Sequence, residues 1–268
     1  MDWEWHKGKT LQFLTIPEWS FMGVETAFST RNDGVSRDAY SSLNLAFHVA
    51  DNSEKVLENR KIFLAELGLS IKKCVASEQV HGTNVVSVSE EDLGRGMTDL
   101  ASALPRCDGM VTRSDIGLMA FFADCAPLFF YNPEIDMIGL AHAGWRGTAQ
   151  NIVSQVMDRI RSAGGSAEDT YAAIGPCIGS CCYEVGEDVA QVFKDNIHKG
   201  VIPTSEGKYR LDLVKANLEL LLGEGISSVK VSLANLCTFC ERELFYSYRR
   251  EGITGRMAGF ITKRKGVV

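Results

Sequence analysis

The spacing of apolar and polar residues changes period several times along the chain, and each change marks an element. Two short β-like runs, Thr10 to Ile16 and Gly23 to Phe28, are separated by turn chemistry. Ser53 then stands where a helix cap is expected, and Val56, Leu57, Phe63, Leu64 and Leu67 recur at helical spacing until Gly68 stops them. Val85-Val86-Ser87-Val88 reads as a strand. The apolar runs from Met119 to Phe130 and from Met137 to Ala141 fit buried strands better than separate helices. Thr148 opens an amphipathic helix with Ile152, Val153, Val156, Met157 and Ile160 inward, ended by Gly164-Gly165. Tyr171 to Ile174 is a strand running into the Gly175-Pro176 break. Val189, Val192, Phe193 and Ile197 mark one further helix, and Leu213 to Leu222 another that ends at Gly223. Val229, Val231 and Leu233 alternate with Lys230 and Ser232, the period of a half-buried strand.

This mixture predicts an α/β or α+β fold, and periodicity alone leaves a barrel, a sandwich with flanking helices and an open sheet as options. No linker, repeat or low-complexity tract divides the chain, so residues 1–268 are expected to form a single domain. Composition adds little to that picture: 45% hydrophobic and 23% charged residues are ordinary globular usage. Charge narrows the partners. With 28 basic against 34 acidic residues and a net charge of −6, non-specific binding to nucleic acid or to an anionic membrane is disfavoured. The charged N-terminus lacks the pattern of a secretory signal, and the most apolar stretch, Gly117 to Tyr131, is too short to span a bilayer and contains Asp124. A cytoplasmic location is expected, in which the eight cysteines are reduced thiols or metal ligands.

Three segments combine reactive side chains with turn formers: Gln79-Val80-His81-Gly82, Ala123-Asp124-Cys125-Ala126-Pro127 and His142-Ala143-Gly144-Trp145-Arg146-Gly147. Each borders or interrupts an apolar run, where strand ends often carry a site. Two imidazoles and a thiolate make a good zinc ligand set, and three protein ligands leave a fourth position open, as in catalytic centres. An Asp directly before Cys125 and a Pro soon after it are unusual in a plain core strand. The chain has five histidines (His6, His48, His81, His142 and His198) and no His-x-His pair, too few for a multicopper centre. A lone copper site stays chemically open, but zinc is favoured.

Cys237-x-x-Cys240 reads as half of a zinc site or as a redox pair, with Cys177, Cys181 and Cys182 as its available partners. Those three do not repeat the spacing, so reduced, partly buried thiols are the expectation. Arg31, Arg249, Arg250 and Arg256 lie beside aromatic residues, and a guanidinium suits phosphate while an aromatic ring can stack a base.

Taken together, several motifs carry a resemblance. They are Phe28-Ser29-Thr30-Arg31, Ser42-Leu43-Asn44-Leu45, His48-Val49 with Asp51, and the three segments above. Ile174-Gly175-Pro176-Cys177-Ile178, Cys182-Tyr183-Glu184-Val185-Gly186, Phe245 to Arg250 and Gly255-Arg256 complete them. The chain resembles the laccase-domain (polyphenol oxidase-like) family, regarded as multifunctional purine nucleoside enzymes. The resemblance runs from about Phe28 to Phe260. It implies a layered α-β-β-α domain and zinc on His81, Cys125 and His142. It also implies phosphorolysis of adenosine, inosine and methylthioadenosine, with hydrolytic deamination of adenosine. Cys125, His142, Asp124 and Glu184 are then the candidate catalytic residues, and Arg31, Asn44, Arg249 and Arg256 the candidates for substrate and phosphate. Purine nucleosides and inorganic phosphate are the expected partners, and the oligomeric state stays open. Two departures are visible: Asp33 where the family often carries Gly, and Gly109 where Ala is commoner. Rival readings are a metal-independent cysteine hydrolase using Cys125 and His142, a metal-binding module without turnover, and a copper-dependent phenol oxidase.

Overall fold

The long apolar runs become the central strands of two six-stranded sheets in the computed structural model, which describes residues 1–197, 199–204 and 207–264. His198 lies outside the described residues. The first sheet runs in the order β1 (Glu4–Lys7), β2 (Gln12–Thr15), β3 (Val24–Ser29), β15 (Met257–Lys263), β7 (Gly117–Phe122) and β4 (Cys74–Ala76). The second runs β14 (Val231–Leu233), β10 (Tyr171–Ile174), β8 (Ala126–Asn132), β9 (Met137–Ala143), β6 (Gly109–Thr112) and β5 (Val85–Ser87). Both sheets are mixed: β4 on β7, β10 on β14 and β5 on β6 are parallel, and the other neighbours are antiparallel. A small antiparallel sheet joins β11 (Glu184–Val185), β13 (Tyr209–Leu211) and β12 (Val201–Pro203).

Strands buried on both faces read as continuous hydrophobic runs, and here the alternation sorts their side chains into three core layers. Phe129 and Tyr131 of β8, Ile138 and Leu140 of β9, and Leu118, Ala120 and Phe122 of β7 fill the layer between the sheets. Leu128 and Phe130 point the other way, into a core shared with the helices α4 (Ile152–Ser162), α5 (Glu187–Asn196) and α6 (Leu213–Gly223). Met119 and Phe121 of β7 and Phe260 of β15 meet Phe63 and Leu64 of α2 (Ser53–Glu66) on the opposite outer face. The result is the mixed α/β, α-β-β-α layering. Three short helices complete it: α1 (Pro17–Phe21), α3 (Trp145–Ala149) and α7 (Tyr248–Glu251). No helix among the described residues is long and apolar enough to cross a membrane.

Several elements differ from the sequence expectation for local reasons. The cap of α2 is Asn52, whose side chain accepts from the amides of Glu54 and Lys55, so Ser53 is the first helical residue. The helix expected from Thr148 is two helices, α3 and α4. They are separated at Asn151, which adopts a left-handed φ of 57° and caps α4 by accepting from the Ser154 amide. The alternation around β14 is inverted: Ser232 is buried, Val229 is exposed, and only Val231 and Leu233 lean on the helical core. The strands β1 and β15 carried no clear period. The first is exposed throughout, and the second is buried along all but its last residue.

Candidate metal centre and its cleft

His81, Cys125 and His142 come from three different connections and converge at one end of the sheets, with their ligating atoms within 4.8 Å of one another. His142 sits near the end of β9, opposite Pro127 of β8. Cys125 lies in the short link that carries the chain from β7 in one sheet to β8 in the other. His81 follows β4 in a left-handed conformation with φ of 60°, and Asp124 has φ of 90°. Non-glycine residues held in this region are strained and tend to collect at functional sites.

Asp108, just before β6, organises the cluster. Its carboxylate accepts from the backbone amides of Val80, His81 and Gly82 at 3.2, 2.9 and 2.8 Å, which holds the His81 turn. Its Oδ1 lies 2.9 Å from Nδ1 of His142, and its backbone oxygen accepts from the His142 amide at 2.7 Å. With Nδ1–H donating to the carboxylate, Nε2 of His142 is the nitrogen free to bind a metal, the usual carboxylate-histidine-metal relay. Gly144 faces the same point: a Cβ there would stand 3.0 Å from Cys125 Sγ and 3.2 Å from His81 Cδ2. The backbone thus passes close to the cluster, and a side chain at this position would have to displace Cys125 or His81 by a few tenths of an ångström.

The electrostatics are those of a thiolate-imidazolium pair. Burial pushes the Cys125 thiol up, but His142 and His81 more than offset it and bring it down to about 6. Burial works against the charged form of His142, yet Cys125 and Asp108 raise it to about 9. Burial would also raise Asp108, and the hydrogen bond and charge of His142 with the turn amides hold it below the ordinary carboxylate range. Nearby His48 goes the other way: burial, then Arg256, lower it to about 4, so it is neutral at physiological pH.

A cleft of about 500 Å³ opens over the cluster, lined by Phe121, Trp145, Tyr183, Tyr248, Arg249 and Arg256 among others. Arg249 stacks over Tyr183 with 4.9 Å to the ring centre and donates to the Glu184 carbonyl at 2.6 Å. Arg256 lies 5.7 Å over Tyr248 and donates to the carbonyls of Thr254 and Gly255. Arg146, from α3, lines the same space.

The other residues singled out in the sequence are placed differently. Asp124 is buried at the cleft, but both its oxygens are engaged: Oδ1 accepts from Thr238 Oγ1 and Oδ2 from the Arg249 amide, each at 2.7 Å. The Glu184 carboxylate is not in the cleft; it pairs with Lys208 at 3.0 Å on the half-exposed small sheet. Arg31 is also outside the cleft, paired with Glu251 at 2.8 Å and lying 4.5 Å over the Tyr246 ring. Asn44 is fully buried and acts through another residue, its Oδ1 accepting from the Arg256 amide at 3.0 Å and its amide nitrogen donating to Asp51. Asp33, where the resemblance led us to expect Gly, has φ of 66°, a conformation that Asp tolerates better than most side chains. The sequence reading missed Asp108 as a site residue. Its signal was a carboxylate set between Cys107 and Gly109 directly before an apolar strand, where a charge must have partners.

Comparison with known proteins places the whole chain. The chain is 38% identical over 252 residues to purine nucleoside phosphorylase YlmD of Geobacillus stearothermophilus, covering 91% of this chain and 92% of that protein. It is 32% identical over 239 residues to adenosine deaminase RL5 from an unidentified prokaryote, covering 87% and 91%. The crystal structure of YlmD from Geobacillus stearothermophilus superposes with a TM-score of 0.93 at 35% identity, over 97% of this chain and 99% of that one. The crystal structure of the hypothetical protein YfiH of Bacillus licheniformis gives the same TM-score at 37% identity, with the same coverage of both chains. Residues 25–264 match the family described as multi-copper polyphenol oxidoreductase laccase, and the chain belongs to that family.

Proposed function

We propose that this protein is a zinc-dependent purine nucleoside phosphorylase that also deaminates adenosine, with residues 1–268 working as one cytoplasmic domain whose eight cysteines are free. The observation that carries the reading is the ligand cluster at the base of a cleft whose walls combine aromatic rings with arginines. Relatives named for phosphorolysis and for adenosine deamination share nearly the whole length. The donor set fits zinc: two imidazoles, one of them oriented by Asp108, and a cysteine already biased to the thiolate, with Gly144 leaving the space beside them clear. Zinc held by His81, Cys125 and His142 supplies Lewis-acid stabilisation of negative charge in the cleft.

The remaining work falls to the chain itself. In phosphorolysis the bond from ribose C1′ to the purine nitrogen breaks, a bond from C1′ to a phosphate oxygen forms, and the departing purine takes up a proton. Arg249 and Arg256 bind the phosphate, whose charge they complement. Tyr183, Tyr248 and Phe121 enclose the nucleoside and exclude water. Asp124 positions the Arg249 backbone, because its oxygens are committed to Thr238 and to that amide. Asn44 does the same for Arg256. Arg31 and Glu184 contribute at a distance, through their own ion pairs.

One observation favours a second reading. A thiolate at about 6 beside an imidazolium at about 9 is also the arrangement of a cysteine nucleophile with its base. Copper chemistry has less support, since only two histidines, His81 and His142, belong to the metal-ligating cluster among the described residues. A chromatographic product assay separates these. Zinc-loaded and chelated protein are incubated with adenosine or inosine, with and without phosphate, beside Cys125→Ala. Phosphate-dependent release of free base that is lost on chelation and in the variant is the expected result. Turnover that survives thorough chelation would transfer the role to Cys125 as nucleophile, and no product from either nucleoside would remove the proposal.

A further inference from the structure

Outside the cleft, four cysteines from two distant segments meet at one place: Cys181, Cys182, Cys237 and Cys240, with all four Sγ atoms within 4.8 Å of one another. Two of the pairs stand at 3.4 Å, Cys182 to Cys240, and 3.6 Å, Cys181 to Cys240. Four sulfurs around one zinc at bond lengths of about 2.3 Å stand about 3.8 Å apart, so these separations bracket a tetrahedral tetrathiolate. All four are free cysteines, and none is shared with the cluster of His81, Cys125 and His142.

The surroundings are built for this grouping. Residues 177 and 237 form a parallel bridge, with the Thr238 amide donating to the Cys177 carbonyl at 3.0 Å, so the backbone brings the two segments together before any sulfur is bound. The Gly179 amide donates to Cys237 Sγ at 3.2 Å, the kind of N–H to sulfur bond that favours a thiolate. Within the Cys237-x-x-Cys240 turn, the amides of Cys240 and Glu241 both donate to the Cys237 carbonyl. Gly179 lets the two segments approach closely, since a Cβ there would crowd Cys181 Sγ at 3.2 Å and Cys237 Cβ at 3.3 Å. Arg250, itself paired with Glu251 at 2.8 Å, tethers the turn by donating to the carbonyls of Thr238 and Phe239 at 2.8 and 2.7 Å.

We propose that Cys181, Cys182, Cys237 and Cys240 form a second, structural zinc site. Binding exchanges the four thiol protons, released to solvent, for one divalent ion. Four protein sulfurs complete the tetrahedron and leave no open position, so the site is a clamp and not a second reaction centre. What it clamps is the far wall of the cleft. Tyr183 adjoins Cys182, and Thr238 lies inside the Cys237-x-x-Cys240 turn and holds Asp124. The Ile178 amide binds the Asp124 carbonyl from the segment just before Cys181. The proposal stands independently of the nucleoside chemistry, because it concerns metal content and sulfur ligation alone.

Elemental analysis of protein purified under reducing conditions without chelator tests it. About two zinc ions per chain are expected in the unaltered protein, about one in Cys125→Ala, and about one in Cys237→Ser with Cys240→Ser. Cobalt replacement in the unaltered protein provides a second measurement that does not depend on the double variant folding. A tetrahedral cobalt spectrum with strong thiolate charge-transfer bands, persisting in Cys125→Ala, is the expected signature. A single zinc that disappears in Cys125→Ala, with the four cysteines reacting freely with a thiol reagent or found as disulfides by mass, would overturn the proposal.

Discussion

At the scale of single residues, Asp108 is the member of the centre whose role is most sharply defined by geometry. It accepts three backbone amides of the His81 turn and faces His142 Nδ1, so one carboxylate orients the His142 ring and fixes the turn that carries His81. An Asp108→Asn change keeps the size but cannot accept all of these bonds with a negative charge. Metal affinity is expected to fall about 10–100-fold, as for other partners of metal-bound histidines, with the fold retained. Competition with a chromophoric chelator measures it, and an unchanged affinity would mean that His142 is oriented by packing alone. The same geometry separates residues of similar chemistry. Arg249 and Arg256 line the cleft, whereas Arg31 shares Glu251 with Arg250 and is stacked on Tyr246.

At the scale of elements, polar residues on α2 secure the loop that serves the site. Asn59 donates to Ser36 Oγ and to the carbonyls of Ser42 and Asn44, and Arg60 donates to the Leu45 carbonyl while lying between Phe47 and Phe121. Burial lowers the Arg60 guanidinium to about 9, a measure of how completely this face is closed. Both residues are buried, so the inner face of α2 is not the purely apolar stripe that periodicity suggests. The start of this helix rests on Asn52, which satisfies two otherwise unpaired amides. Asn52→Ala should cost about 1 kcal/mol in urea unfolding, and Ser53→Ala under about 0.5 kcal/mol. Equal costs would return the cap to Ser53.

For the molecule as a whole, the buried histidine beside the centre makes stability depend on pH. His48 falls from an ordinary 6.5 to about 4 on folding, because burial and Arg256 oppose its charge. Between those values the unfolded chain binds the proton and the folded chain does not, so folding stability rises with pH and is lost on acidification. This contribution is complete above pH 6.5 and is lost towards pH 4, by at most about 3 kcal/mol for one proton. Urea denaturation at several pH values, compared with His48→Gln, isolates it: the variant should lose about one proton's worth of the acid-side slope. Parallel slopes would place the proton uptake elsewhere.

Local pattern and residue chemistry were enough to identify much of this protein. The buried runs of β7 to β10, the helices α5 and α6, and the ligand candidates His81, Cys125 and His142 are all legible in the sequence. Period and turn chemistry are written within a few neighbouring residues, and zinc-binding side chains advertise their chemistry wherever they stand. What local pattern could not supply was the company each residue keeps. Asp108 meets His142 across 34 positions, Asp124 meets Thr238 across 114, and Asn44 meets the Arg256 amide across 212. Sheet register and the crossing from β7 to β8 decide those meetings, as they decide that Glu184 and Arg31 turn to other partners. They also decide which cysteines gather. The spacing in the chain left Cys177, Cys181 and Cys182 equal as partners for Cys237 and Cys240, and the fold buries Cys177 and brings the other two into the cluster. Side chains that act together must share a point in space, and only the packed sheets bring distant segments to that point.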